Sequence, residues 1–175
     1  MIVIVEGIDR VGKTTLCEKL RERGFIILKD GIDILKDRGF TKREVAIASA
    51  AKVDSTFIFA KQLSDSGVNV VLDRCHLTEI VYGWINRGVY EPDVIRDAEK
   101  RFAHDTEDDA LLVLVEATNI DEACERAGED LVHHAQMFDV VFSMSPITKF
   151  RTNFNNLDEA VNRILKYQKE TANDQ

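Results

Sequence analysis

Two glycines, a lysine and a threonine near the start of the sequence have a spacing that suits phosphate binding. Gly7, Gly12, Lys13 and Thr14 form the pattern G-x-x-x-x-G-K-T. Glycine backbones can turn successive N–H groups toward one anion, a lysine can reach the outer phosphates of a nucleotide, and a hydroxyl group can ligate Mg²⁺. The pattern therefore predicts a site for ATP and Mg²⁺. The residues expected to contact ATP are Gly7, Asp9, Gly12, Lys13, Thr14 and Thr15.

A second pair of functional side chains follows an apolar segment near the middle of the chain. In "VVLDRCHLTEIVYG", Asp73 and Arg74 stand where the apolar run ends. A carboxylate there can hold the hydration shell of Mg²⁺, and an adjacent guanidinium can bind a phosphate through two parallel hydrogen bonds. A salt bridge without a binding role is the alternative. We predict that Thr14 and Asp73 bind the metal and that Arg74 binds phosphate.

Both segments need strands that end at one edge of a sheet. Apolar runs predict strands, and periodic segments with capping signals predict helices. Strands are expected at Ile2–Val5, Phe25–Leu28, Val68–Asp73, Ala110–Glu116 and 147–152. Helices are expected at Thr14–Arg23, Thr41–Gly67 with a break near Val53, His76–Arg87, Pro92–His104, Ile120–Arg126, Leu131–Ser143 and from Leu157 onward, and a loop is expected at Lys29–Arg38.

Strands that alternate with helices are typical of parallel β-α-β units. The predicted fold class is α/β, a three-layer P-loop NTPase fold with a five-stranded parallel sheet flanked by helices. Ligands of such sheets bind at the carboxyl ends of the strands, where the glycine-rich loop and Asp73-Arg74 both fall. The length of 175 residues predicts a single domain over residues 1–175.

The composition limits the expected partners. The sequence contains 31 acidic and 23 basic residues, a formal net charge of −8, which disfavours a nucleic acid partner. We find no signal peptide and no apolar run of membrane-spanning length, so we expect a cytoplasmic protein without a membrane partner. Three widely separated cysteines suit a reducing compartment, and Cys17 and Cys124 are expected to be small core residues.

Two segments, Glu6–Thr15 and Asp73–Gly83, resemble thymidylate kinases and related P-loop (deoxy)nucleotide kinases. That family has Glu-Gly at the entry to its phosphate-binding loop. After its third strand it has Asp-Arg-(Tyr/His), followed by Ser and then Tyr. Here Asp73 and Arg74 match the Asp-Arg, Cys75 replaces the aromatic residue, Thr78 replaces Ser and Tyr82 matches Tyr.

The resemblance implies roles around an acceptor nucleotide. Arg74 would bind its monophosphate, and Asp9 would reach its 3′-hydroxyl or phosphate region. Tyr82 would pack against the sugar and leave no room for a 2′-hydroxyl, although an ordinary half-buried helix residue is the alternative. Arg10 would contact the γ-phosphoryl group. The substrate-binding residues expected on this basis are Asp9, Arg74, Thr78, Glu79 and Tyr82.

In this family, positive charge around the transferred group comes from an arginine of the loop or from a mobile lid. The lid is expected at about 124–134, where Arg126 stands close to Glu129 and Asp130. Because the lid is poor in positive charge, Arg10 is the preferred transition-state contact. Arg126 would assist, or would be a solvated helix end. The predicted catalytic residues are Arg10, Lys13, Arg74 and Arg126.

Residues that read thymine are not visible. The family's Arg-Glu-Pro-Gly loop is absent from "LKDGIDILKDRGF", and the region near Lys52 lacks the family's Phe and Arg. Glu79 could accept hydrogen bonds from a base such as guanine, or could face solvent. His133 and His134 are expected to be ordinary surface residues, and 104–109 a solvated acidic loop.

The leading hypothesis is a deoxynucleoside monophosphate kinase whose base is left open. A deoxynucleoside kinase is the nearest alternative, and Glu6 or Asp73 could then act as the base. A polynucleotide 5′-end kinase is disfavoured by the net charge, and a nucleotide-binding regulatory module without transfer stays open. Members of the family are commonly homodimers, so a homodimer is expected.

Overall fold

Five parallel strands form one sheet in the computed structural model of the protein, which describes residues 1–29 and 39–173. The strands are β1 (Ile2–Glu6), β2 (Ile26–Lys29), β3 (Val70–Asp73), β4 (Ala110–Glu116) and β5 (Lys149–Asn153). Their order is β2-β3-β1-β4-β5, and every neighbouring pair is parallel. The predicted five-stranded parallel sheet is confirmed, with strand ends that differ by at most two residues.

The central strands are apolar because helices cover both faces of the sheet. Ile2 and Ile4 on β1, Leu72 on β3 and Leu112 on β4 have no exposed surface. A strand that is buried on both faces needs a continuous apolar run, which is what the sequence provides. This rigid centre places the carboxyl ends of β1 and β3 side by side, with Val5 level with Asp73.

Seven α-helices lie within the described residues. They are α1 (Lys13–Arg21), α2 (Lys42–Asp65), α3 (His76–Tyr82), α4 (Pro92–Thr106), α5 (Ile120–Ala127), α6 (Val132–Met144) and α7 (Leu157–Asn173). Helix α1 packs against α7, α2 against α4, and α3 against α6. No helix in residues 1–29 and 39–173 combines the length and apolar composition that a membrane span requires.

Helix α2 runs without interruption, so the predicted break near Val53 is wrong. Its start carries the predicted capping box, in which Thr41 and Glu44 each satisfy a backbone N–H of the other. Val53 is buried within the helix, which contains no glycine or proline. The predicted loop at Lys29–Arg38 begins with a residue of β2, and its remaining positions lie outside the described residues.

The predicted helix at His76–Arg87 changes its winding partway. Helix α3 ends at Tyr82 and continues as a π-helical turn, Gly83–Arg87. A Cβ atom on Gly83 would lie 2.7 Å from Nη2 of Arg87 and 2.9 Å from Cβ of Tyr90, so close packing requires glycine there. Such turns often occur at functional sites, and this one directly follows a predicted site residue.

Two smaller predictions also need correction. The acidic segment 104–109 is not a loop, because α4 continues to Thr106 and a 3₁₀ turn, Glu107–Asp109, follows. Cys17 is a buried core residue as expected, whereas Cys124 is only half-buried. The Sγ atom of Cys124 accepts a hydrogen bond from the backbone N–H of Leu131 at 3.2 Å.

Candidate active site

The loop between β1 and α1 has the backbone conformation that its glycines allow. Gly7 and Gly12 have φ angles of +137° and +100°, which other residues rarely adopt. A Cβ atom on Gly7 would collide with the carbonyl oxygen of Val115, and one on Gly12 would lie 2.7 Å from Cδ2 of Phe154. The loop therefore leads into the N-terminus of α1, where backbone N–H groups are free to bind an anion.

Lys13 is buried beneath this loop. Its side chain is 5% exposed, and Nζ donates a hydrogen bond to the carbonyl oxygen of Ile8. Burial, and after it the positive charge of Arg74, lower the pKa of Lys13 to about 8. Because burial disfavours the charged form of this amine, the phosphates of a nucleotide would stabilise its ammonium.

The oxygen atoms predicted to ligate a metal belong to residues beside the loop. Thr14 and Thr15 are exposed at the start of α1, and Asp73 ends the neighbouring strand β3. The charge of Asp73 acts on Lys13, which places the carboxylate close to the ammonium group. The described residues contain no cluster of three or more His, Cys, Asp or Glu side chains suited to a metal. The threonine hydroxyls and the Asp73 carboxylate fit Mg²⁺, which binds proteins through one or two oxygens and takes its other ligands from phosphates and water.

Asp9, Arg74 and Tyr82 form a network at the edge of the loop. The guanidinium of Arg74 donates to Oδ1 of Asp9, and the hydroxyl of Tyr82 donates to Oδ2 at 3.1 Å. The Cζ atom of Arg74 lies 5.7 Å from the centre of the Tyr82 ring. Two segments for which the sequence predicted separate contacts are thus joined by direct hydrogen bonds.

The pKa values of Asp9 and Tyr82 reflect burial and the charges of their neighbours. Burial works to raise the pKa of Asp9, but the positive charges of Arg74 and Lys13 outweigh it, and the pKa lies below its ordinary value. Burial, and then the negative charge of Asp9, raise the pKa of Tyr82 to about 12. At neutral pH the network therefore consists of a carboxylate, a guanidinium and a neutral phenol.

One cleft of about 660 Å³ brings most of these groups together, but Gly7 and Tyr82 are not among its lining residues. The predicted site residues that line it are Asp9, Arg10, Gly12, Lys13, Thr14, Thr15, Asp73, Arg74 and Arg126. Arg10 and Arg74 both have left-handed backbones, with φ angles of 64° and 72°, which cost free energy for a residue other than glycine. Strain of this kind is typical of sites where a side chain must point in a required direction.

Arg126 reaches the cleft from the end of α5. Its guanidinium is exposed and forms an ion pair with Glu122 at 2.9 Å on the same helix. Gly128, with a φ angle of +72°, ends α5, and four residues separate that helix from α6. The structure thus places Arg126 at the rim, where a solvated helix end and a contact with bound nucleotide are both compatible with its position.

Thr78 and Glu79, two predicted substrate-binding residues, do not line the cleft. Thr78 donates to Glu6, whose other carboxylate oxygen accepts from the backbone N–H groups of Cys75 at 2.9 Å and Leu77 at 3.0 Å. Glu6 thereby caps the start of α3 from a neighbouring strand. These interactions are structural, so Glu6 is poorly placed to act as the base of a deoxynucleoside kinase.

Glu79 is buried rather than solvent-facing, which corrects one of the two alternatives predicted for it. Its side chain forms an ion pair with Arg87, which the π-helical turn folds back over α3. Only 4% of Glu79 is exposed. The guanidinium of Arg87 occupies one carboxylate oxygen of Glu79, so only the other oxygen would remain to accept hydrogen bonds from a guanine.

Two residues near the cleft were not found from the sequence. His134 is buried against Tyr82 and is not a surface residue, whereas His133 is exposed as predicted. Phe154 follows β5 and lies at the mouth of the cleft with 56% of its surface exposed. An aromatic residue between the last strand and the last helix could have been noticed in the sequence. The burial of His134 could not, because it depends on how α6 packs.

No protein-family model and no curated protein matches the sequence. The structure is similar to the YorR protein of Bacillus subtilis in complex with phosphorylated GDP, with a TM-score of 0.73, 16% identity and coverage of 99% of this chain and 98% of that one. It is similar to a thymidylate kinase of Ehrlichia chaffeensis, with a TM-score of 0.67, 14% identity and coverage of 94% and 98%. A deoxyadenosine kinase of M. mycoides gives a TM-score of 0.58, 14% identity and coverage of 95% and 100%. These identities establish the fold alone, and at that level the resemblance to thymidylate kinases is confirmed.

Proposed function

We propose that the protein is a deoxynucleoside monophosphate kinase that uses ATP. The observation that carries the proposal is one cleft lined by two groups whose chemistry suits phosphate, the loop around Lys13 and the guanidinium of Arg74. Binding of ATP alone needs only the first group. The second provides a place for the phosphate of an acceptor, within reach of the transferred group.

In the proposed reaction, a phosphate oxygen of the dNMP attacks the γ-phosphorus of ATP. The bond between that phosphorus and the β–γ bridging oxygen breaks, which gives ADP and a dNDP. Lys13 would hold the outer phosphates of ATP. Thr14 and Asp73 would hold Mg²⁺, which neutralises phosphate charge when bound.

Three arginines would act on the transferred group and the acceptor. Arg10 would contact the γ-phosphoryl group, Arg74 would orient the acceptor phosphate, and Arg126 would assist from the rim. Little covalent chemistry is required of the protein in phosphoryl transfer, so positioned positive charge supplies most of the acceleration. The strained backbones of Arg10 and Arg74 support this assignment, because strain persists where orientation matters.

Asp9 and Tyr82 would define the sugar subsite. Acceptor binding would transfer Arg74 from Asp9 to the phosphate, and Asp9 could then accept a hydrogen bond from the 3′-hydroxyl. Tyr82, with its hydroxyl directed at Asp9, would occupy the space that a 2′-hydroxyl needs. We also propose that the segment between α5 and α6, within about 124–134, acts as a lid and that residues 1–175 form one kinase domain.

A cytoplasmic homodimer is part of the proposal. Ile47 and Ile58 are 51% and 54% exposed on α2, and their spacing of about three helical turns places them on one face. A second copy of the chain could bury both. Light scattering would show a dimer for the native chain and a monomer for Ile58→Glu, and a native monomer would contradict this part of the proposal.

The nearest alternative, a deoxynucleoside kinase, is supported by one of the similar structures. A panel of all dNMPs and all deoxynucleosides with ATP and Mg²⁺, scored by ADP release, separates the two. We expect release with at least one dNMP and none above the Lys13→Ala background with nucleosides. Release with nucleosides alone would favour the alternative, and ATP binding without acceptor-dependent release would indicate a regulatory module.

A further inference from the structure

The ring of Tyr82 packs against His134, a residue of α6 to which the proposed reaction assigns no contact with substrate. The two ring centres are 4.7 Å apart with an angle of 43° between the planes. Phe138, one turn later on α6, contacts the same ring edge-on at 6.3 Å. The Tyr82 ring is thus packed against two residues of α6, while its hydroxyl donates to Asp9 at 3.1 Å.

The histidine also has a polar contact that a phenyl ring could not make. Its Nε2 atom lies 2.9 Å from Oδ1 of Asn86, and because an amide oxygen only accepts, Nε2 carries the proton and donates it. Asn86 belongs to the π-helical turn that begins directly after Tyr82. His134 therefore contacts this segment at two points four residues apart, through a tilted ring–ring contact with Tyr82 and a hydrogen bond to Asn86.

The other ring nitrogen indicates that packing alone does not explain a histidine here. Nδ1 of His134 is buried and has no hydrogen-bond partner in the described part of the chain. A buried polar atom without a partner destabilises the folded state, and an apolar ring of similar size would avoid that cost. The contact of Nε2 with Asn86 is what a histidine adds at this position.

We infer that His134 is a positioning residue that sets the sugar selectivity of the acceptor site by holding Tyr82 against Asp9. This inference rests on the proposed function, since it assigns the discrimination between deoxyribose and ribose to the Tyr82 ring. His134 acts through Tyr82 and does not contact the reacting atoms. Its loss should therefore change acceptor recognition and leave ATP recognition as it was.

The test measures kcat and KM for ATP, for the preferred dNMP and for the matching ribonucleotide. In His134→Ala we expect the KM of the dNMP to rise about tenfold and its kcat/KM advantage over the ribonucleotide to fall by a similar factor, because a loosened ring excludes the 2′-hydroxyl less well. The KM of ATP should stay within about twofold. His134→Phe should keep the ring–ring contact with Tyr82 and part of the selectivity. Asn86→Ala should resemble His134→Phe.

His133→Ala provides a matched control, because His133 is the exposed neighbour on the same helix. It should leave kcat and KM unchanged for ATP, the dNMP and the ribonucleotide. Unchanged selectivity in His134→Ala, or an equal loss for ATP and acceptor, would overturn the inference while the proposed function stands. Loss of the selectivity in His133→Ala, in which His134 is intact, would overturn it as well.

A second readout keeps the two proposals separable. Absence of transfer to every dNMP by the native chain would contradict the proposed function. In that case, NMR with ¹³C-labelled tyrosine still examines the contact, because the chain has only three tyrosines and Tyr82→Phe identifies the relevant signal. The Tyr82 signal should shift in His134→Ala and in Asn86→Ala and stay in place in His133→Ala. An unmoved signal would contradict the positioning role.

Discussion

The two halves of the cleft are built in different ways. The proposed ATP side is built mainly on one continuous segment, Gly7–Thr15, whose backbone would supply most of the binding groups. The proposed acceptor side is assembled from side chains of separate segments, as the contact between Asp9 and Arg74 illustrates across 65 positions of the sequence. A half that rests on backbone conformation tolerates little change, whereas a half that rests on side-chain contacts can be adjusted one residue at a time.

The largest effect is expected on the ATP side. Lys13→Ala should reduce kcat/KM for ATP by about 1,000-fold or more, because it removes the charge that holds the outer phosphates. Steady-state kinetics with the preferred dNMP provides the measurement. Lys19→Ala, on the same helix, removes only an exposed ion pair with Asp158 and serves as the control. Comparable activity in the two variants would refute the assignment of the loop.

The next effect separates catalysis from binding within the loop. Arg10→Ala should lower kcat by roughly 100-fold or more with little change in the affinity for ATP, because the exposed Arg10 would contact only the transferred group. Arg126→Ala, at the rim, should lose less. Single-turnover kinetics and equilibrium binding of ATP measure the two quantities. A larger loss in Arg126→Ala would move the catalytic role to the lid.

The acceptor side should respond to a change in the Asp9–Arg74 pair. Arg74→Lys keeps the charge but not the two parallel hydrogen bonds, and we expect the KM of the dNMP to rise about 10- to 100-fold. Asp9→Asn should free Arg74 and strengthen the binding of inorganic phosphate, since the guanidinium loses its competitor. Isothermal titration with phosphate tests the second effect. Weaker phosphate binding in Asp9→Asn would show that Asp9 orients Arg74 and does not compete for it.

The smallest effect is a pH dependence of the ATP side. The pKa of Lys13 is about 8 in the folded protein, against 10.5 for an ordinary lysine. Bound phosphates favour the protonated amine, so the Kd of ATP should rise by up to roughly tenfold per pH unit above pH 8. The unfolded chain keeps this proton up to a higher pH, so Lys13 contributes a stability to the ligand-free fold that increases as the pH rises from about 8 to 10.5.

Lys13→Arg isolates this effect, because a guanidinium keeps its proton throughout that range. Its Kd for ATP should therefore be flat from about pH 7 to pH 9.5, whatever its absolute value. An equal rise of Kd in both proteins would assign the titration to another group.

The difference between the two halves also explains what the sequence could predict. The loop is a local pattern of glycines, so its conformation was predictable, and its proposed role was argued, from residues 7–15 without knowledge of the remaining chain. The order of strands and helices was predictable for a similar reason, since the pattern of apolar residues within each segment indicates which element it forms.

The acceptor side could be predicted only in part. Asp73, Arg74 and Tyr82 were found through a second local pattern, but their partners were not. Tyr82 meets Asp9 across 73 positions, and Thr78 meets Glu6 across 72. The burial of His134 depends on how α6 packs, and the pairing of Glu79 with Arg87 depends on a π-helical turn. No periodicity in the sequence predicts either feature.

The central claim is that the phosphoryl group passes from ATP to the phosphate of a second nucleotide. The most direct measurement follows the label from [γ-³²P]ATP in a mixture of the four common dNMPs, with the products separated by chromatography. We predict label in a dNDP fraction, which disappears in Lys13→Ala and is strongly reduced in Arg74→Lys. Label in inorganic phosphate alone would contradict the claim. So would label in a dNMP fraction of a parallel reaction with the four deoxynucleosides, if the dNMP mixture gives no labelled dNDP.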